Sequence, residues 1–125
     1  MKKSIHSNAI RTSELDADAN TIQLPVDANG NYPNNLNAKW SIVPTKKPVA
    51  IKIEFEDNFC TEKHTDKVRI YEGANGDGAL VAILHGSRKH IEPLVVNASS
   101  AMISFHSDDS ESCSGFKAHY AALYD

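Results

Sequence analysis

Two segments of this sequence combine several carboxylates with one cysteine each, and these residue types could together hold a metal ion. Residues 56–66 read EDNFCTEKHTD, and residues 107–115 read SDDSESCSG. If Cys60 and Cys113 pair, the two segments meet and their carboxylates converge. Convergent carboxylates repel one another unless a cation neutralises them, and Ca²⁺ prefers six to eight carboxylate, carbonyl and water oxygens. The residues leave two interpretations open, a calcium site and loops whose acids serve only solubility.

Cys60 and Cys113 are the two cysteines of the chain, so they can form one disulfide or remain free thiols. A bridge would close a loop of about 50 residues and would stabilise the fold by about 4 kcal/mol on the chain-entropy estimate. It would also clamp both acidic segments, which is where a metal site would gain most from rigid loops.

The six histidines raise zinc as a competing metal, because His64 and His106 lie in or beside the acidic segments. Zinc favours His and Cys ligands in tetrahedral sets. The pair formed by Cys60 and His64 has no second pair to complete such a set, and the other histidines, including His6, are scattered. We therefore expect surface histidines rather than a zinc site.

The elements that would position the acidic segments are short strands in which apolar and polar residues alternate. The clearest is 49–55, where Val49, Ile51, Ile53 and Phe55 share one face, and a period of two indicates a half-buried strand. Further strands are predicted at 21–26, 40–43, 67–71, 79–84, 91–96, 101–105 and 116–120. Segments rich in Gly, Pro and Asn separate them, and no stretch has a sustained helical period. The pattern predicts an all-β antiparallel sandwich or barrel.

A chain of 125 residues is long enough for one hydrophobic core. Residues 1–19 lack an apolar period and are expected to form a tail or an irregular first strand, and residues 20–125 are expected to form the domain. No apolar stretch follows Met1-Lys2-Lys3, so neither a secretory signal nor a membrane span is expected. The formal net charge of −3 gives no overall basic character for nucleic acid.

Catalysis is not expected from this sequence. It contains no G-x-S-x-G elbow, no H-E-x-x-H pair and no glycine-rich phosphate loop that opens a helix. The glycines of residues 73–78 are typical of a turn between strands. Paired carboxylates can hydrolyse glycosidic bonds, but these crowd one end of the molecule with no evident cleft.

Three motifs resemble those of the CUB domain family. Residues 31–42, NYPNNLNAKWSI, resemble the opening "NYPNN…W-x-I" of these domains, and residues 66–73, DKVRIYEG, resemble their "D-x-V-x-I-Y-D/E-G" strand. Residues 103–108 and 115–120 resemble the closing "F-x-S-D…G-F-x-A-x-Y". The resemblance covers about residues 20 to 125 and implies a two-sheet, jelly-roll-like β-sandwich that is used as an extracellular interaction module.

The resemblance also implies a calcium site. Carried over by motif, two of its ligands are Asp66 and Asp108, and a Glu supplies the third carboxylate. Glu62 is the preferred candidate, with Glu56 and Asp57 as alternatives. A backbone carbonyl after the second Asp contributes in the family, which corresponds here to Asp109 or Ser110. Tyr32 matches the tyrosine that supports the acidic cluster.

Two departures from the family pattern concern cysteines. Ala38 stands where a cysteine is expected two residues before the tryptophan, and His85 stands where another is expected. The usual disulfides therefore cannot form, and a Cys60–Cys113 bridge would be a different one, which suggests a divergent branch of the family, such as a bacterial one.

The expected partner is a protein whose exposed Lys or Arg pairs with the calcium-stabilised acidic loops, and the chain is expected to be one module of a larger secreted protein. A calcium-containing carbohydrate-binding module is an alternative. For it the sequence offers Tyr71 and Tyr124, since the other large aromatic residues fit a core. A structural or oligomerisation domain is the other alternative. Neither nucleic acid nor membrane insertion is expected.

Overall fold

The computed structural model describes residues 10–125, and within that range the chain folds into strands and turns. Residues 1–9, which include His6 and half of the predicted tail, lie outside the described residues. The strands are β1 Ile10–Leu15, β2 Ala19–Gln23, β3 Asn37–Ile42, β4 Ala50–Phe55, β5 Phe59–Cys60, β6 Lys67–Glu72, β7 Leu80–Leu84, β8 Ser87–Arg88, β9 Leu94–Val96, β10 Ala101–His106 and β11 Lys117–Leu123. No helix in this part of the chain is long and apolar enough to cross a membrane.

The strands form two main sheets that pack face to face. One sheet has five strands in the order β1-β3-β10-β6-β7, and the other has four in the order β2-β11-β4-β9. The short strands β5 and β8 form a separate pair. The prediction of an all-β sandwich is confirmed. One pairing departs from the antiparallel pattern, because β1 runs parallel to β3.

The predicted strands agree with the structure to within a few residues, and the differences have local causes. Residues 10–15, which fall in the predicted tail or irregular first strand, form a regular strand along the edge of the five-stranded sheet. Val49 was predicted to face the core, but it is 52% exposed. It precedes β4, and Ala50 and Ile51 are both buried at the start of that strand. The alternation therefore begins two residues later than the sequence suggests.

The core is organised around the ring of Phe116. This ring lies within 6.0 Å, centroid to centroid, of the rings of Trp40, Phe55, Phe59 and Phe105. These residues come from both sheets and from β5, and all of them are buried. Three of these contacts are edge-to-face and the one with Phe59 is stacked, and buried aromatic rings of this kind contribute large apolar areas. The cluster fixes the end of the sandwich at which the acidic loops emerge.

The register of two central strands brings the acidic loops together. β6 and β10 are antiparallel neighbours, and the first residue of β6, Lys67, pairs with the last residue of β10, His106. Asp66 directly precedes β6 and Asp108 follows β10 after one buried serine. The pairing of these two strands therefore places both aspartates at the same sheet end, independently of the disulfide.

Candidate metal centre

Three carboxylates meet at the end of the five-stranded sheet. One side-chain oxygen from each of Glu62, Asp66 and Asp108 lies within 4.8 Å of the others. Among the described residues, one group of three or more His, Cys, Asp or Glu side chains is close enough together to share a metal ion, and it is this one. Of the three candidates for the glutamate position, the structure thus brings Glu62 to the two aspartates.

Asp66 is the buried centre of this group, with no solvent exposure. Its Oδ2 accepts a hydrogen bond of 2.6 Å from the Tyr32 hydroxyl, and its Oδ1 accepts one of 2.9 Å from the Asp108 backbone N–H. Its backbone carbonyl accepts a bond of 2.8 Å from Thr61 Oγ1. A buried carboxylate is stable when such donors compensate its lost hydration, so Asp66 is held in one orientation.

Tyr32 links the two loops through a single hydroxyl group. Besides donating to Asp66, this hydroxyl accepts a hydrogen bond of 2.9 Å from the Glu62 backbone N–H. Burial, followed by the hydrogen bond to Asp66, raises the pKa of Tyr32 far above its ordinary value. The tyrosine therefore stays protonated and acts as a donor. Its supporting role at a metal site stays a prediction.

Glu62 carries a buried oxygen that no hydrogen bond satisfies. Its Oε1 is inaccessible to solvent and has no hydrogen-bond partner. A hydrogen bond with Thr65 lowers the pKa of Glu62, but burial and the carboxyl groups of Asp108 and Asp66 outweigh it, so the pKa lies above its ordinary value. Unsatisfied buried polar atoms are rare in folded proteins. A carboxylate crowded in this way is suited to a cation, because a cation satisfies the oxygen and removes the repulsion.

Asp108 is positioned by the segment that carries the NYPNN motif. Its backbone carbonyl accepts a hydrogen bond of 2.8 Å from the Asn35 N–H, and its Oδ1 accepts one of 3.1 Å from the Ser110 N–H. The preceding residue, Ser107, is fully buried and donates through Oγ to the Pro33 carbonyl at 2.8 Å. The motif segment thus lies between the two acidic loops and holds both.

The predicted bridge between Cys60 and Cys113 is present, with a Cα–Cα distance of 5.8 Å. Beside it, the backbones of Cys60 and Gly115 exchange two hydrogen bonds of 2.9 and 2.8 Å. Gly115 has a φ of +78°, and a Cβ atom there would lie 2.9 Å from Leu24 Cδ1. A glycine is therefore required where the second acidic loop returns to β11.

The other residues named for this site lie around the carboxylate group. Asp109 and Ser110 are exposed and line a polar cavity of about 350 Å³ next to the group. The Asp109 carbonyl accepts a hydrogen bond of 3.0 Å from Asn34 Nδ2. Glu56 instead bonds His119 at 2.6 Å, and Asp57 bonds His90 at 3.0 Å. These two acids are engaged away from Asp66 and Asp108.

The zinc alternative finds no support in the geometry. Cys60 is consumed by the disulfide. His106 Nδ1 is hydrogen-bonded to Asn37 Oδ1 at 2.8 Å, and no histidine belongs to the group of metal-binding side chains found among the described residues.

Several supporting residues were not identified from the sequence. Thr61, Ser107 and Asn35 orient the carboxylates through backbone and hydroxyl contacts. Nothing in the sequence distinguishes the buried Ser107, which directly precedes Asp108, from an ordinary exposed loop serine. The NYPNN motif was a usable signal for Asn35, which has a φ of +53°, because asparagine is among the few residues that tolerate this backbone region.

The family comparison agrees with the motifs. The CUB domain family model matches residues 13–120. The chain is 32% identical over 115 residues to the zinc metalloproteinase nas-39 of Caenorhabditis elegans, covering 88% of this chain and 12% of that protein. It is 35% identical over 95 residues to human cubilin, covering 73% of this chain and 3% of cubilin. The chain thus spans a small part of the curated relatives that it matches.

Solved structures agree with the fold. The CUB1-EGF-CUB2 domains of human MASP-1/3 superimpose with a TM-score of 0.74 and 25% identity, covering 90% of this chain and 43% of that chain. The MASP-1 CUB2 domain bound to Ca²⁺ gives a TM-score of 0.69 at 24% identity, covering 88% of this chain and 97% of that chain. CUB domains are generally non-catalytic interaction modules of larger extracellular proteins. From its matching family model, its motifs and its relatives, this chain belongs to the CUB domain family.

Proposed function

We propose that this domain binds a protein partner through a calcium-stabilised acidic site formed by Glu62, Asp66 and Asp108. The observation that carries the proposal is that Glu62 has a buried, unsatisfied Oε1 and also contributes a carboxylate oxygen to the group of three ligand atoms that lie within 4.8 Å of one another. The solved MASP-1 CUB2 domain, which shares this fold, contains Ca²⁺. A backbone carbonyl of Asp109 or Ser110 is a further ligand in this proposal.

The donor set fits calcium better than a transition metal. All the candidate ligands are oxygens, and hard oxygen ligands suit Ca²⁺ rather than the nitrogen and sulfur ligands that zinc prefers. When bound, the ion neutralises the three carboxylates. The chain's own contribution is to hold these groups in place, through Tyr32, the disulfide and the Asn35 contact, so that little ordering is left for the binding step.

The negative charge around the site indicates a partner that carries positive charge. Asp109 and Glu111 line the cavity beside the group and add further carboxylates to its rim. A Lys or Arg of the partner would pair with oxygens that the ion leaves available, through charge-assisted hydrogen bonds roughly twice as strong as neutral ones. Extracellular calcium modules bind the ion with a Kd of about 10⁻⁴–10⁻³ M, so the site would be filled outside cells.

The test is calorimetry of Ca²⁺ binding to the wild-type domain and to Asp108→Ala. We expect the variant to lose at least about tenfold in affinity while it unfolds cooperatively, since Asp108 is on a loop and outside the core. Asp77→Ala is the matched control, because it removes an exposed aspartate from the turn at the opposite end of β6. Equal affinities of wild type and Asp108→Ala would reject the site.

The partner half of the proposal needs its own measurement. An immobilised lysine-rich peptide should retain the wild-type domain in millimolar CaCl₂, and should release it when EDTA is added. The Asp108→Ala variant should not be retained. If the peptide retains wild type equally well in EDTA, the acidic site binds basic groups without the ion, and the calcium-dependent mechanism is wrong.

A further inference from the structure

The outer face of the five-stranded sheet gathers basic side chains that are far apart in the sequence. Lys39 on β3 and Arg69 on β6 are both in register with Ser104 on β10, the strand between them. Lys67 lies two residues before Arg69 on the same face of β6. Neighbouring strands are about 4.8 Å apart and residues i and i+2 about 6.7 Å apart. The three cations therefore form a triangle with backbone separations of roughly 7–12 Å.

The basic surface continues past β6. Lys63 and Arg88, together with Lys67, lie close enough to the His85 ring to help lower its pKa, after burial and the His64 ring. Lys63 also packs over Gly86, where its Cγ would lie 3.8 Å from an added Cβ. We name the surface formed by Lys39, Lys63, Lys67, Arg69 and Arg88 the basic face. Its sheet residues span β3, β10 and β6, a distance of about 10 Å, while Lys63 lies in the loop before β6 and Arg88 lies on β8 of the separate two-stranded sheet.

The three cations on the sheet form no ion pairs with the described residues. Within the described residues, no carboxylate lies within ion-pair distance of Lys39, Lys67 or Arg69. The described strands of this sheet contain two acidic residues, Glu14 and Glu72, both at the sheet end opposite to Lys67, and the carboxylates of Glu62, Asp66 and Asp108 lie in the loops beyond the Lys67 end. In a chain with a formal net charge of −3, such a concentration of unpaired cations creates a local positive potential.

We propose that the basic face binds a sulfated polysaccharide. Cations spaced along a regular, open sheet suit a linear polymer with repeated anionic groups, whereas a single small anion would contact one of them at a time. The disulfide and the family place the domain outside cells, where sulfated polysaccharides are available. Single-stranded nucleic acids are bound by stacking of successive bases on several aromatic rings, whereas the described strands of this face carry one tyrosine, Tyr71, which is partly buried and lies two residues after Arg69 on β6.

The experiment uses heparin–agarose and the intact domain with its disulfide. Wild type should be retained at about 0.1 M NaCl and eluted by salt, since binding to a polyanion releases counterions. The variant Lys39→Ser/Lys67→Ser/Arg69→Ser should bind heparin more weakly by on the order of 100-fold, from about fivefold for each cation near an anionic surface. De-sulfated heparin should not retain wild type.

A matched variant separates the basic face from net charge. Lys46→Ser/Lys52→Ser/Lys117→Ser makes the same charge change, and Lys52 and Lys117 lie on the other sheet. This control should elute with wild type. Equal elution of the two triple variants, or tighter binding of wild type to single-stranded DNA or phosphatidylserine vesicles than to heparin, would overturn the proposal. Heparin should retain the wild-type domain in EDTA as well. A failure of the basic-face proposal can therefore be distinguished from a failure of the calcium site.

Discussion

The Tyr32 hydroxyl offers the sharpest test of how the acidic site is held together. Tyr32→Phe removes one oxygen and leaves the buried ring, which packs edge-to-face on Phe105 at 5.0 Å. The Asp66 carboxylate then loses a hydrogen bond of 2.6 Å, and the Glu62 N–H loses its acceptor at 2.9 Å. A hydrogen bond to a charged group contributes about 1.5–3 kcal/mol, and an orphaned buried donor adds to the loss.

We therefore expect Tyr32→Phe to lower the free energy of unfolding by about 2–4 kcal/mol in calcium-free buffer. For a domain of this size that corresponds to a fall in Tm of roughly 8–15 °C, which thermal denaturation followed by circular dichroism resolves easily. Calcium affinity should also fall about 10- to 100-fold, because groups that orient metal ligands affect affinity by that much.

Tyr124→Phe is the matched control for this variant. The Tyr124 hydroxyl also donates to an aspartate, Asp18 Oδ1, at 2.7 Å, but the side chain is 44% exposed. Water replaces a lost partner at such a site, so the effect should stay within about 0.5 kcal/mol. If Tyr32→Phe melts within about 2 °C of this control, the hydroxyl does not support the acidic site and the account of its geometry is wrong.

Three further predictions concern the surroundings of the site. Replacing Cys60 and Cys113 by alanine should cost about 4 kcal/mol through loop-closure entropy, and an unchanged urea midpoint would contradict it. Gly115→Ala should cost about 2–4 kcal/mol, because its positive φ and the close contact with Leu24 both oppose a side chain; native-like stability would exclude this strain. The hydrogen bond to Asp57, against the opposing effect of burial, raises the pKa of His90 above 6.5. The contribution of the His90–Asp57 interaction to folding stability should therefore be complete below pH 6.5 and should vanish as pH rises through the pKa of His90 in the folded state. In NMR titrations, Asp57→Asn should lower the titration midpoint of His90.

Much of the fold follows from local pattern. The strands of the two sheets show an alternation of buried and exposed residues that is legible in residues such as Ile51, Ile53 and Phe105. The parallel pairing of β1 could not be predicted, because residues 11–14 are polar and the segment has no alternating hydrophobic face, although Leu15 packs against the core.

The sequence predicted which residues belong to the candidate site better than it predicted how they are arranged in space. Asp66 and Asp108 were identified by motif, and the pairing of β6 with β10 makes them neighbours. The sequence already favoured Glu62 over Glu56 and Asp57, and the structure adds the contacts, since it shows Glu56 bonded to His119. The basic face was invisible for a related reason: a net charge averages over the whole chain, whereas sheet register decides which charges meet.

The most direct test of the calcium site is a crystal structure determined from crystals grown in millimolar CaCl₂. The account predicts one metal peak with oxygens of Glu62, Asp66 and Asp108 at about 2.3–2.6 Å from it, and Tyr32 still donating to Asp66. Electron density with no ion among these three carboxylates, or an ion bound only elsewhere in the molecule, would contradict it.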